Sequence, residues 1–216
     1  MSDDFFSDLR RTYKTSKFLD EKDFEEDPYK EFKKWFEQAQ KQEVGEANAF
    51  ILSTSSTEKR VSSRVVLLKS LEDNCFTFFT NYTSKKVNDI EQNSQVSAVF
   101  YWQSLNKQVR IEGEAHKISR HKSEKYFQTR PYESQLGAWV SKQSKIISSR
   151  EDLEKKYKEL REKYKKGDVP CPDFWGGIEI NANYFEFWQG QANRLHDRIA
   201  YTKVSKKEWK INRLSP

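Results

Sequence analysis

From Pro28 the apolar positions fall at helical spacing. Phe32, Trp35, Phe36 and Ala39 recur at i, i+3, i+4 and i+7, which places them on one face and predicts an amphipathic helix over residues 28–42. Asp27 followed by Pro28 supplies an N-cap and a proline at the first helical position. From Ala49 the pattern changes to short runs rich in Val, Ile, Phe and Thr, predicting strands at 49–55, 61–69, 75–81, 96–102 and 108–118. The insert at 83–92 reads as a short helix, capped by Thr83 or Ser84, with Val87 and Ile90 facing inward. Helices are predicted at 119–129 and 132–140, broken by Pro131. A longer one at 148–166 carries its apolar stripe on Leu153, Tyr157, Leu160 and Tyr164 and ends at Gly167. Final strands are expected at 177–181, 184–189, 194–202 and 209–214. Short strands in close succession favour an antiparallel barrel or sandwich, so the class is mainly β with peripheral helices, α+β. Residues 1–26 show no convincing period and read as an N-terminal arm, mobile or docked elsewhere, leaving 27–216 as a single domain.

Charge and composition narrow the partners. A net charge of +6 on a chain with a sequence pI near 9.1 favours anions: nucleic acid, phosphorylated metabolites or an anionic cofactor. The content of 15 Phe, 10 Tyr and 6 Trp offers stacking surface for bases and cofactor rings alike. No GxGxxG or P-loop pattern occurs among the glycines, so any phosphate must be held mainly by side chains. Cys75 and Cys171 lack CxxC or Cys/His ligand spacing, which argues against a zinc site and fits a reduced compartment; no metal is expected. There is no long apolar run, and the N-terminus is acidic, so the expectation is a cytoplasmic protein with no membrane partner.

Three stretches carry candidate chemistry. In an extended conformation Arg194, His196 and Arg198 would share one face and Leu195 and Asp197 the other, with Trp188 on the preceding strand offering a flat surface to a ring. Ser84, Lys85 and Lys86 open a helix, where N–H groups, a hydroxyl and two ammonium groups suit a phosphate. Tyr126, Arg130 and Ser134 gather around a helix break and could grip another. On residue spacing alone, a solvated strand edge, an ordinary capped helix and scattered surface polarity remain open for the three stretches.

Six motifs in order remove much of that ambiguity: Arg-Val-Val-Leu-Leu-Lys (64–69), Phe-Phe-Thr-Asn (78–81), Arg-Pro-Tyr-Glu-Ser-Gln-Leu-Gly-Ala-Trp (130–139), Ser-Lys-Gln-Ser (141–144), Phe-Trp-Gly-Gly (174–177) and Glu-Phe-Trp-Gln-Gly-Gln-Ala-Asn-Arg-Leu-His-Asp-Arg (186–198). Together they closely resemble the pyridoxamine 5′-phosphate oxidase family, from about Asp27 to the C-terminal Arg-Leu-Ser-Pro. The resemblance implies an FMN-binding split β-barrel acting as a homodimer, with each flavin held between the subunits. It implies oxidation of pyridoxamine or pyridoxine 5′-phosphate to pyridoxal 5′-phosphate, with hydride passing from C4′ to flavin N5 and O2 leaving as hydrogen peroxide. No nucleic-acid partner is implied.

Position by position, the resemblance implies FMN contacts from Arg64, Val65, Val66 and Leu67, from Phe79, Thr80, Lys85 and Lys86, and from Gln108, Gln143, Ser144, Trp188 and Arg198. It implies substrate contacts from Lys69, Tyr126, Arg130 and Ser134, with Arg194 and His196 beside the reacting ring as the catalytic pair. Cations and hydroxyls suit a phosphate dianion, and a flavin that carries the redox step explains the missing triad. In two places the chain departs from the family pattern. Lys85-Lys86 stands where the family has Arg-Lys, replacing a planar fork by a point charge. Arg10 and Tyr13 keep the spacing of a pair that closes over substrate, in an arm that otherwise matches poorly. One geometric tension is internal: Arg64 and Lys69, five positions apart on a regular strand, would face opposite sides. A bulge, strong twist or backbone contact would reconcile them. The alternatives are a split-barrel protein that binds flavin or pyridoxal phosphate without turnover, and a basic, aromatic binder of single-stranded nucleic acid.

Overall fold

The computed structural model describes residues 9, 12–13, 18–43, 45–206 and 208–216. Its strands hydrogen-bond in the order β2-β1-β5-β6-β7-β4-β3, with β8 on β7 and β9 on β8. The described residues pack as two compact units, one drawn from those of 1–48, 99–111 and 183–216, the other from 49–98 and 112–182. Three strands, β5 (Gln95–Trp102), β6 (Lys107–Lys117) and β7 (Trp175–Gln189), run through both.

In the first unit, α1 (Pro28–Gln42) starts where its N-cap predicts, the Asp27 carboxylate accepting from the Tyr29 N–H at 2.9 Å. Its apolar stripe is buried: Phe32 packs edge-on to Phe100 at 5.0 Å, and Trp35 to Phe187 at 5.1 Å. β8 (Asp197–Lys203) pairs antiparallel with the end of β7 and with β9 (Trp209–Arg213). The described residues leading into α1 are docked here. The Tyr201 hydroxyl donates to the Glu25 carbonyl, and Arg213 pairs with Glu21.

The second unit holds β1 (Ala49–Ser55), β2 (Val61–Leu67), β3 (Ser70–Glu72) and β4 (Cys75–Asn81), followed by α2 (Lys85–Gln92). β1 and β2 form a hairpin that sets Leu52 opposite Arg64, and β4 pairs with the start of β7 so that Phe79 faces Gly177. Phe50, Leu52, Phe76, Phe78, Val87 and Ile178 form its core. A satellite cluster around Phe127, Leu136, Val169 and Trp175 seats α3 (Arg120–Thr129) and α4 (Tyr132–Val140). Against it, α5 (Arg150–Lys163) packs only its half-buried Tyr157 and Leu160.

Several boundaries differ from the sequence reading. The strand expected over 61–69 stops at Leu67, and a short β3 follows. The strands expected at 177–181 and 184–189 are one, because ladder pairing on both stretches of β7 overrides the poor strand propensity of Asn181 and Asn183. The strand expected from Arg194 begins at Asp197, since Asn193 and Arg194 adopt left-handed φ values of 55° and 60° in a 3-10 turn. Among the described residues, no helix is long and apolar enough to cross a membrane, and no group of three or more His, Cys, Asp or Glu side chains is placed to hold a metal ion.

Candidate functional site

The second unit contains a cleft of about 660 Å³. Every site residue predicted for this unit lines it except Ser134, whose backbone N–H is spent on the Pro131 carbonyl in the first turn of α4. Five cations, Arg64, Lys69, Lys85, Lys86 and Arg130, face the cleft, and no lining residue carries a carboxylate. Such a wall attracts anions, because the Asp89 carboxylate behind Lys85 offsets only part of its charge.

How each cation is held follows from local structure. Ser84 is the N-cap of α2, yet its hydroxyl caps no backbone N–H; it accepts instead from Lys86 Nζ at 3.2 Å. Lys86 Nζ also donates to Thr80 Oγ1 and Gln143 Oε1, both at 3.0 Å. This ammonium is buried among neutral partners, and burial, with Arg64 adding to it, lowers its pKa to about 8. Lys85 differs. One turn along the helix, Asp89 takes its Nζ on both carboxylate oxygens, at 2.9 and 3.0 Å. Asp89 also accepts from the Thr54 and Ser62 hydroxyls, the same hydroxyls that accept from the Arg64 guanidinium. Burial raises the Asp89 pKa, but Lys85 and the hydroxyls outweigh it and hold the carboxyl below its ordinary range.

The opposite facing of Arg64 and Lys69 disappears because the strand ends between them. Leu67 closes β2, Leu68 turns into the core, and the Lys69 N–H joins the Thr77 carbonyl at 2.8 Å. Both side chains then line one cleft. The aromatic wall is a stack: Phe79 lies on Tyr126 at 3.7 Å and 12°, and on Trp175 at 5.4 Å and 14°. The Arg130 guanidinium sits 4.6 Å from the centre of Trp175, and its buried Nη1 has no hydrogen-bond partner among the described residues. An orphaned guanidinium nitrogen in a carboxylate-free cleft is what an incoming oxyanion satisfies. Trp175, Ser62 and Ser63 also line the cleft but were not assigned from sequence; Trp175 was within reach, standing inside the Phe-Trp-Gly-Gly motif.

The remaining predicted residues, Gln108, Trp188, Arg194, His196 and Arg198, belong to the first unit and are absent from the cleft lining. Trp188 and Arg198 are direct cross-strand partners. Arg198 Nε donates to the buried Glu186 carboxylate at 2.8 Å, and its Nη1 to the Ser215 carbonyl at 2.8 Å. The expected row of Arg194, His196 and Arg198 is broken: Arg194 ends the 3-10 turn and is exposed, while His196 and Arg198 are half-buried. Leu195 and Asp197 do not share a face either. Leu195 is 67% exposed, whereas Asp197 is buried and accepts from the Leu19 N–H, Gln191 Nε2 and Arg213 Nη1. His196 stacks obliquely on Trp188 at 4.8 Å, and Tyr13 meets both rings edge-on. The other arm residue singled out from sequence, Arg10, lies outside the described residues. Gln108 is half-buried on β6.

Comparison with known proteins matches both parts of the chain. A family model described as pyridoxamine 5′-phosphate oxidase covers residues 36–164, and one described as the pyridoxine 5′-phosphate oxidase C-terminal dimerisation region covers 175–216. A pyridoxine/pyridoxamine 5′-phosphate oxidase of Rippkaea orientalis is 50% identical over 96% of this chain and 98% of its own. One from Aliarcobacter butzleri is 47% identical over 97% and 99%. Among solved structures, PhzG from Burkholderia lata, in complex with tetrahydrophenazine-1-carboxylic acid, superposes with a TM-score of 0.85 at 28% identity, covering 92% of this chain and 97% of that one. A pyridoxamine 5′-phosphate oxidase-related, FMN binding protein from Nostoc punctiforme shares the fold, with a TM-score of 0.72 at 16% identity over 89% of this chain and all of that one. The fold is therefore the split barrel of these proteins.

Proposed function

This chain belongs to the pyridoxamine 5′-phosphate oxidase family, and from that premise we propose that it oxidises pyridoxamine and pyridoxine 5′-phosphates to pyridoxal 5′-phosphate with FMN as cofactor. The observation that carries the reading is the cleft itself: five cations without a carboxylate, a buried Lys86 ammonium with neutral partners, and an orphaned Arg130 nitrogen beside stacked aromatic rings. That donor set fits two phosphates and two flat rings. Relatives of 44–50% identity over nearly the whole chain bear the oxidase name, which favours vitamer phosphates over the tetrahydrophenazine-1-carboxylic acid held by PhzG at 28% identity.

In this reading Arg64, Thr80, Lys86, Gln143 and Ser144 hold the FMN phosphate, and the backbone from Val65 to Leu67 with Phe79 lines the ring. Lys85 adds its charge at the helix start while tied to Asp89. Lys69, Tyr126 and Arg130 take the substrate phosphate, with Ser134 nearby on α4. The protein is a homodimer, its C-terminal region being of the dimerisation type. Gln108, Trp188 and Arg198 from the partner meet the flavin, and Arg194 and His196 meet the substrate ring. Bound FMN would supply the redox chemistry, taking up a hydride equivalent from substrate C4′ and passing two electrons to O2, which would leave as hydrogen peroxide. The protein orients the two rings and neutralises both phosphates, so positioning supplies most of its contribution. For the amine, water then hydrolyses the imine and ammonia leaves.

The test is oxygen consumption by the yellow, FMN-loaded protein with pyridoxamine 5′-phosphate, yielding equimolar peroxide and pyridoxal 5′-phosphate. Flavin binding without turnover would favour a carrier. Colourless protein with no FMN affinity would remove the reading altogether.

A further inference from the structure

Resting on the oxidase reading, we infer that His196 serves the substrate as a hydrogen-bond donor of fixed tautomer, with its proton on Nε2, and is not the group that takes up a proton. The Gln191 backbone N–H lies 3.1 Å from His196 Nδ1. A backbone N–H can only donate, so Nδ1 is the acceptor and carries no hydrogen. A neutral imidazole whose Nδ1 is an acceptor keeps its hydrogen on Nε2. Nε2 therefore has no lone pair to receive a proton, and protonating Nδ1 would set two N–H groups against each other.

The surroundings hold this arrangement in place. Gln191 is buried, and its side-chain Nε2 donates to Asp197 Oδ2 at 2.7 Å, closing the segment 191–197 on itself. The preceding Gly190 N–H is tied to the Asn106 carbonyl at 2.8 Å. A Cβ at Gly190 would come within 2.7 Å of Tyr13 Cδ1, so the backbone here passes directly beneath the ring that also meets His196 edge-on. The Asp197 carboxylate next in sequence is not directed at the imidazole; it accepts from Leu19, Gln191 and Arg213. Burial, with Arg194 adding to it, lowers the His196 pKa and favours the neutral ring. Gln191 is thus a positioning residue acting through its backbone, with Asp197 as its anchor.

The experiment is a long-range 1H–15N correlation of the imidazoles in the full chain near neutral pH, with and without added FMN. Only His116, His121 and His196 contribute, and the His196 signals are those lost in His196→Gln. The expected pattern is the Nε2–H form; an Nδ1–H form or an imidazolium overturns the inference. A kinetic arm adds a readout of role. His196→Gln keeps an N–H near the Nε2 position, whereas His196→Asn reaches only the Nδ1 position. The Gln variant should therefore retain a kcat roughly tenfold above the Asn variant, the size of one lost hydrogen bond to substrate. Equal loss in both would mark a proton acceptor and sink the idea. If the unsubstituted protein shows no oxidase activity, the proposed function fails while the tautomer remains readable.

Discussion

At the scale of single residues, two adjacent lysines that look equivalent in sequence have different tasks. Lys86 is buried with neutral partners, and Lys85 is paired with Asp89. Lys86→Met should weaken FMN binding about 10- to 100-fold, the range of a charge-assisted hydrogen bond to phosphate, and Lys85→Met only a few-fold. Flavin-fluorescence titration decides between them. Lys86 also sets a pH dependence. With its pKa lowered from 10.5 to about 8, the flavin-free protein loses this proton above that pH while the unfolded chain still holds it. Its stability from this residue therefore rises with pH between the two values, and below about 8 the cost of burying the charge is fully present. A phosphate dianion favours the ammonium, so FMN affinity should fall as pH rises above that point, and Lys86→Met should flatten the profile. A second pair separates by exposure. Arg194→Ala should impair kcat/KM for substrate without changing the melting temperature, because the side chain is exposed. Arg198→Ala deprives the buried Glu186 of its closest cation and should cost about 3 kcal/mol of stability as well as flavin affinity. Equal effects of the two changes on both readouts would show that the division of roles is wrong.

At the scale of elements, the cleft depends on where strands stop and how closely they approach. Ending β2 at Leu67 brings Arg64 and Lys69 to one side, and starting α2 at Lys85 points its first turn at the same cleft. Close approach is clearest at Gly113 on β6, where a Cβ would lie 2.1 Å from the Asn181 carbonyl oxygen on β7. Backbone cannot yield as a side chain does, so Gly113→Ala should destabilise by about 3 kcal/mol or more, at the upper end of ordinary overpacking. Urea unfolding gives the value; a change under about 1 kcal/mol would mean that the strands part easily.

At the scale of the whole molecule, the predicted ligands fall into two groups, those of the second unit, all but Ser134 lining the cleft, and Gln108, Trp188, Arg194, His196 and Arg198 of the first. In the proposed homodimer each flavin uses the first group from one protomer and the second from its partner. Mixing Lys86→Met and Arg198→Ala subunits, at an FMN concentration that loads the wild-type site but neither variant alone, should then restore about a quarter of the wild-type rate, because half of randomly paired dimers are mixed and each mixed dimer has one intact site. No recovery on mixing would place both groups of a site on the same chain.

Local chemistry was enough for much of this. The helix over 28–42, its Asp27 cap and the strands at 49–55 and 75–81 follow from periodicity and capping, because each depends on neighbours a few positions away. The motifs at 64–69, 78–81, 130–139 and 141–144 hold most of the residues that line the cleft, since such contacts cluster at the ends of adjacent strands and helices, while Lys85, Lys86 and Tyr126 stand outside them. Three features depend on contacts distant in sequence. Alternation joined Arg194, His196 and Arg198 into a row, but left-handed turns at Asn193 and Arg194 broke it. The role of Lys85 changed when the Asp89 carboxylate reached it, a pairing open to helical spacing but weighted by the Thr54 and Ser62 hydroxyls from β1 and β2. The His196 tautomer needed the Gln191 N–H brought back to the ring by the turn between them. Sequence determined which chemical groups were present and the local elements that carry them; tertiary structure decided which of them are already partnered, because partnership is set by distance in space.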